Sequence, residues 1–449
     1  MKTKSLITIL TAGLVMSGCN KFVEDYDVSP NSPVVANAAL LTTNAQVALF
    51  ATYGGQLSRT CGIWTQQLAG TDAQMLDHEA YRVFEGDIQN EWDGIYADGI
   101  ETCRDLIDNY GAGNPHYTGI AQILEAMYLG LATDLWGDVP DSEAAKGIEN
   151  LNPGFDAQEN VIKHIQTLLS SAIGNLGQAP EANALLPGGD DLIYGGDAAA
   201  WTKAAYLIKA RYAMRIGDAA GAKTNLTSAG MTGSADDMNA QFGTAGTELN
   251  TWFAFETARP GYIKMGAPFI DAMAANSDPR IPFYAAVDTG GIYRGSIIGT
   301  GDISASAIGS YLQGSTLPLA TYVESKFLEA EALFGSDKAG AATAFNDAVK
   351  ASVMQVTGAD DAAFEALVAS ETAATISMDK IYAQKHVALF GQIEVFNEWR
   401  RGDIPALTVN PNGSISSIPV RFPTALEERL YNSNAKVVSD LTQKVWWDN

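Results

Sequence analysis

Apolar side chains recur along much of the chain at the three- and four-residue steps of an α-helix. Between 119 and 136, Ile120, Ile123, Leu124, Met127, Tyr128, Leu131 and Leu135 fall on one stripe, the pattern of a helix that buries one face. Residues 200–216 behave alike, with Trp201, Ala204, Ala205, Ile208, Tyr212 and Met214 set among Lys and Arg. Val323, Phe327, Ala330 and Phe334 step by four, three and four, and a second helix from about Ala339 to Gln355 follows the break at Gly335-Ser336. Ile381, Leu389, Ile393 and Phe396 mark a further helix across 377–400. Alternation of period two is scarce, so the fold is predicted to be mainly α.

Alanine and glycine sit where paired helices would touch, as close packing of helix–turn–helix units requires. The pair over 321–355 reads as a tetratricopeptide-type unit, although no strict 34-residue repeat is present, and a plain α-bundle would satisfy the periodicity alone. Two stretches differ. Residues 177–199, with Pro187-Gly188-Gly189-Asp190-Asp191 and Gly195-Gly196-Asp197, read as a loop between helices. Residues from about 228 to 320 mix Gly, Ser, Thr and isolated aromatics, which predicts a loop-rich lobe inserted between helical parts.

The first residues read as a targeting signal: Lys2 and Lys4, an apolar run from Leu6 to Met16, then Ser17-Gly18-Cys19. The run is too short to span a bilayer, which takes roughly 20 apolar residues, and has the shape of a removable signal peptide over 1–18. Ser17-Gly18-Cys19 resembles the lipobox of bacterial lipoproteins, with Met16 where Leu is commoner. That resemblance implies acylation of Cys19 and a membrane anchor, each buried methylene contributing roughly 0.8 kcal/mol. Residues 19–33, with Pro30, Pro33 and the acidic Glu24, Asp25 and Asp27, read as a tether, and 34–449 as the folded domain.

Acidic residues number 52 against 28 Lys and Arg, a formal charge of −24. Such a surface repels phosphates and argues against a nucleic-acid partner. Beyond Cys19 only Cys61 and Cys103 remain; an exported protein can pair them or bury them apart. His78, His116, His164 and His386 are far apart in sequence and show no metal-ligand spacing. Gly217 to Thr224 resembles a phosphate loop only until its Lys223 falls one residue late. No nucleophile elbow occurs, and among so many carboxylates nothing singles out a pair for glycoside hydrolysis. Neither a cofactor nor catalytic residues are therefore expected.

Six segments in order resemble the SusD/RagB superfamily, in its shorter starch-binding, outer-membrane-associated branch. They are Asp27-Val28-Ser29-Pro30-Asn31; Glu91-Trp92-Asp93-Gly94-Ile95-Tyr96; Thr133-Asp134-Leu135-Trp136-Gly137-Asp138-Val139-Pro140; Asp278-Pro279-Arg280; Glu329-Ala330-Glu331-Ala332; and Glu394 through Pro405, followed by Ile418 to Pro423. The family usually has Thr or Ser near Asp403 and a second basic residue in the last segment. The resemblance implies a scaffold of tetratricopeptide-like helix pairs with an irregular ligand-bearing lobe. It further implies a place on the outer membrane, anchored through Cys19, beside a SusC-like TonB-dependent transporter that receives oligosaccharides or peptides. Physically, Gly137 and Pro140 end a helix. Arg400 and Arg401 are expected to pair with Glu394, Glu398 or Asp403, and Trp92, Trp136 and Trp399 to be core.

Sugar rings pack their C–H faces on aromatic planes while their hydroxyls bond amides, carboxylates and guanidinium groups. Candidates are therefore aromatic and polar residues on loops. The first set is Asp72, Gln74, His78, Tyr81 and Arg82, in a segment that in the family often helps form the ligand surface. The second, in the predicted lobe, is Trp252, Phe253, Arg259, Tyr262, Tyr293 and Arg294. A surface protein that captures an oligomeric nutrient and passes it to a transporter is the expected function. A lipid-anchored hydrolase of the same polymer, or a helical scaffold or lid with no ligand site, is the alternative.

Overall fold

The computed structural model describes residues 36–448; the predicted leader, Cys19 and the tether lie outside the described residues. The chain opens with α1 (Ala38–Tyr53), whose first turn is closed by the Asn37 side chain accepting from the Leu40 N–H. Next come α2 (Gln56–Trp64), the short strand β1 (Leu68–Gly70) and α3 (Ala73–Glu79). After α4 (Glu101–Tyr110), a helical array runs through α5 (Pro115–Trp136), α6 (Gln158–Leu176), α7 (Ala198–Arg215) and α8 (Ala219–Ala229), each packed on the next. Pro115 takes the first turn of α5, where its missing N–H is no loss, and Gly137 ends it with φ +82°.

The predicted stripes are buried: Ile120, Ile123, Leu124, Met127, Tyr128, Leu131 and Leu135 on α5, and Trp201, Ala204, Ala205, Ile208 and Tyr212 on α7. Small residues mark the closest helix approaches. A Cβ at Gly130 of α5 would collide with the Tyr212 hydroxyl of α7. The array continues through α11 (Tyr322–Phe334) and α12 (Lys338–Thr357), which pack together while α8 lies on α11. Val323, Phe327, Ala330, Phe345, Val349 and Ile381 form a second, smaller core there. This is the predicted mainly α scaffold with tetratricopeptide-like helix pairs.

The segment 377–400 is two helices rather than one: α13 (Met378–Ala388) and α14 (Glu394–Gly402). Gly391 at φ +73° turns the chain between them, against Leu312, a conformation open to glycine at little penalty. The apolar spacing read correctly on both sides, and the turn passed unnoticed because Leu389 and Ile393 remain buried through it.

The lobe over 228–320 carries more regular structure than expected, with α9 (Thr251–Ala258) and α10 (Ala267–Ala274) among its loops. One strand pair ties it to the scaffold and another joins its two ends. β1 pairs antiparallel with β5 (Ile263–Met265), Leu68 opposite Met265, and β4 (Met238–Gln241) with β6 (Thr316–Ala320). The remaining pair is β2 (Val139–Pro140) with β3 (Phe155–Asp156).

A buried charge network joins α5, α7, α11, α13 and α14. Arg215 reaches Glu394 at 2.5 Å, Glu398 at 3.2 Å and Asp134 at 3.2 Å. Arg211 holds Glu324 at 2.6 Å, and Arg401 holds Glu398 at 2.7 Å as well as Glu331. Arg401 thus pairs as expected. Arg400 does not; it donates to the Asp134 and Val420 carbonyls and to the Asn397 side chain. Trp92 and Trp136 are buried in the main core and Trp399 is half-buried against it. Cys61 and Cys103 are separate buried thiols, and burial pushes both of their pKa values up.

Candidate functional site

The β1–β5 pair brings the two predicted segments together. Just beyond it the Thr71 N–H donates to the Tyr262 carbonyl at 2.9 Å, and the Thr71 hydroxyl to the Gly261 carbonyl at 2.7 Å. Helix α3 therefore starts beside the Arg259–Tyr262 turn. A third segment covers it. The Gly299 N–H donates to Glu79 Oε2 at 3.2 Å, and the Leu76 side chain and Thr71 carbonyl lie against Gly301. A fourth, 410–414, locks the base: Asn410 Nδ2 donates to the Glu79 carbonyl, Asn412 Nδ2 to the Gly299 carbonyl, and the Ser414 N–H to the Ala80 carbonyl, each at 2.8 Å.

Solvent-facing positions carry the possible ligand chemistry. Asp72 and Gln74 are exposed at the start of α3, where Asp72 also accepts from the Ala73 N–H. Phe253 and Arg259 are exposed on and after α9, and Tyr262 is half-buried edge-on to Phe255 at 6.3 Å. Tyr293 is 39% exposed on the loop that continues to Gly301. Arg82 is exposed and paired with Asp77 at 3.1 Å, an ion pair that contributes little in water.

Three other predicted residues, His78, Tyr81 and Trp252, turn inward, a departure from the loop exposure expected for them. His78 is buried with Nδ1 at 2.8 Å from the Thr60 hydroxyl, and its carbonyl accepts from the Trp64 indole. Burial lowers the His78 pKa to about 4, against weaker opposition from Asp87 and Asp77. Tyr81 is buried at φ +60°, its hydroxyl accepting from the Asn410 N–H at 2.8 Å. Trp252 is fully buried under Arg59. Arg294 is committed to Asp288 at 2.6 Å, Asp302 at 2.5 Å and the Ser304 hydroxyl at 2.6 Å, so it braces the loop that presents Tyr293.

Sequence reasoning missed apolar side chains that this face leaves in water: Ile297 is 67% exposed, with Leu76, Ile292 and Ile303 also exposed. Exposed apolar groups gathered on one surface mark binding faces. Their only sequence signal was an apolar residue inside a polar, turn-rich stretch. It also missed Glu79, which burial raises to a pKa of about 7 despite the Gly299 N–H. Arg59, stacked 4.3 Å over Phe255, is lowered to about 10 by burial, and Arg259 adds to the effect while Glu91 opposes it. Among the described residues no group of three or more His, Cys, Asp or Glu is placed to hold a metal ion.

A mainly helical scaffold with tetratricopeptide-like helix pairs, carrying a loop-rich lobe with braced loops, defines the class of fold. Residues 30–423 match the family model described as starch-binding associating with outer membrane, SusD-like, and the chain belongs to that SusD-like family. No curated protein matches it. Among solved structures, it is similar to a SusD/RagB family protein from Bacteroides thetaiotaomicron, at 20% identity over 92% of this chain and 99% of that one, with a TM-score of 0.78. It is also similar to a chitin-binding SusD homolog from Flavobacterium johnsoniae, at 20% identity over 91% and 98% of the two chains, with a TM-score of 0.79.

Proposed function

We propose that this protein captures oligosaccharides on the face formed by α3, the Arg259–Tyr262 turn and the 292–303 loop. From there it delivers them to a SusC-like TonB-dependent transporter, while held at the outer membrane by lipid on Cys19. The observation that carries the reading is that face itself. Exposed Tyr293 offers an aromatic plane and Ile297 an aliphatic surface, Asp72, Gln74 and Arg259 offer polar groups, and buried bonds brace the loops beneath. Ordering loops in advance lowers the entropy lost on binding. The family model's outer-membrane description and the likeness to a chitin-binding relative support a glycan as cargo. Among the described residues no helix is long and apolar enough to cross a membrane.

Incubating the purified protein with chitin, starch, other plant and host glycan oligosaccharides, and a peptide library tests this reading. Calorimetry reports binding, and chromatography of the recovered ligand reports turnover. Binding of at least one oligosaccharide, recovered intact, is expected. Cleavage would favour the hydrolase, peptide-only binding would move the cargo class, and no binding with transporter co-purification would favour a scaffold.

A further inference from the structure

A cavity of about 610 Å³ lies between the β4–β6 pair and the α11–α12 helix pair, lined by Asp237, Asn239, Tyr311, Tyr322, Met354 and Gln355 among others. Its size falls within the roughly 300–1,000 Å³ of small-ligand sites. None of the face described above contributes to it.

The polar groups are positioned with bonding capacity left over. Asp237 is fixed at the mouth of α11, where Oδ1 accepts from the Tyr322 N–H at 2.6 Å and Oδ2 from Gln355 Nε2 at 3.3 Å. Each carboxylate oxygen can accept a second bond. The Tyr311 hydroxyl is buried without any hydrogen-bond partner, an unfavourable arrangement unless something fills it. Its ring is held 5.2 Å from that of Tyr284, so the hydroxyl has a fixed place. Asn239 and Thr316 add side-chain donors and acceptors, and Pro318, Val323, Ala351 and Met354 supply an apolar wall.

The electrostatics narrow the occupant. No Lys or Arg lines the cavity, and Asp236 and Glu324 add negative potential at Asp237, so phosphates and carboxylates are disfavoured. Burial, with that negative potential, raises the Asp237 pKa to about 7, which weakens its hold on a cation and leaves a carboxyl able to donate as well as accept. Neutral hydroxyl groups over an aromatic and aliphatic wall match what remains.

From the unpartnered Tyr311 hydroxyl, the fixed Asp237 and the flanking amides we propose that this cavity is a second, separate binding site for a single neutral sugar unit. The proposal rests on the glycan reading above and deepens it: one chain would hold saccharide at two places, the loop face and the junction of lobe and helix pair.

Met354, 42% exposed at the cavity wall, provides a local reporter. In full-length protein carrying 13C-methyl methionine, with the Met354 signal assigned by Met354→Leu, the probes are glucose, galactose, mannose, xylose and N-acetylglucosamine, with putrescine and inorganic phosphate as contrasts. A saturable Met354 shift with at least one sugar is expected, weakened about tenfold by Tyr311→Phe and likewise by Asn239→Ala, and unchanged by Tyr293→Ala on the loop face. A Met354 signal silent to every sugar, responsive only to putrescine or phosphate, or insensitive to both cavity variants overturns the proposal. Oligosaccharide binding that persists with Met354 silent defeats the cavity alone, whereas a Met354 response without binding at the loop face defeats only the earlier reading.

Discussion

Glu398 on α14 and Lys385 on α13 meet in a fully buried contact, carboxylate to ammonium at 2.6 Å, where Arg401 and Arg215 also reach the same carboxylate. Burial alone would raise the Glu398 pKa, but Arg401, Lys385 and Arg215 more than reverse it and hold it well below the usual carboxylate range. The turn at Gly391 lets two successive helices close on one network that also includes Glu331 of α11. Helices α5 and α7 and the later α11, α13 and α14 are thereby fixed to one another through charge as well as packing.

Removing one partner of such a network leaves charge buried and uncompensated. Lys385→Met is expected to destabilise the fold by roughly 3–5 kcal/mol, read as a drop in the denaturant midpoint with an unchanged slope. The Glu398 contribution is present above the ordinary glutamate pKa near 4.5 and lost as pH falls below it. A loss under 1 kcal/mol would show that the network is solvated.

His78 and Glu79 oppose each other in acid. His78 stays neutral in the fold to about pH 4 whereas its unfolded value is 6.5, so its contribution to stability falls as pH drops through that window. Glu79 keeps its proton in the fold up to about pH 7 against 4.5 when unfolded, so its contribution rises as pH drops from 7 towards 4.5. Glu79→Gln removes the second effect. Its Tm is expected to exceed the parent's at pH 8 and to fall more steeply than the parent's between pH 7 and 5. Parallel curves would contradict the burial of Glu79.

Tyr81 braces the site rather than facing it. Tyr81→Phe would leave the buried Asn410 N–H without its 2.8 Å acceptor, an expected loss of about 1–3 kcal/mol. Because the left-handed backbone at Tyr81 is held by the same neighbours, protease nicking within 408–414 should accelerate in this variant. Unchanged stability and unchanged nicking would show that 410–414 is held otherwise.

The two thiols give a further check. Cys61 and Cys103 are buried and unpaired, so a thiol reagent should leave both unmodified in the native protein and modify both in denaturant without prior reduction. A requirement for reduction would mean that they are bonded.

The helical scaffold was legible because buried stripes on α5 and α7 repeat at helical spacing, and such periodicity depends only on neighbours within two turns. The family motifs were legible for a related reason: they mark helix ends and buried charges such as Glu398 and Arg401, whose structural duties constrain residue type. The proposed face was only half legible. Asp72, Gln74, Phe253, Arg259 and Tyr293 were correctly expected to reach solvent, but His78, Tyr81 and Trp252 were not distinguishable from them. Their burial is set by Thr60, Asn410 and Arg59, and for Tyr81 that partner lies more than three hundred residues away. The break at Gly391 and the cavity at Tyr311 share this origin, since each depends on which distant elements close over it.

The central claim is that oligosaccharide is held on the loop face, and hydrogen–deuterium exchange of the full-length protein, with and without a saturating bound oligosaccharide, tests it most directly. The account predicts slowed exchange in 71–86, 253–262 and 292–303. Saturation by the same ligand with no protection in any of these three segments would contradict it.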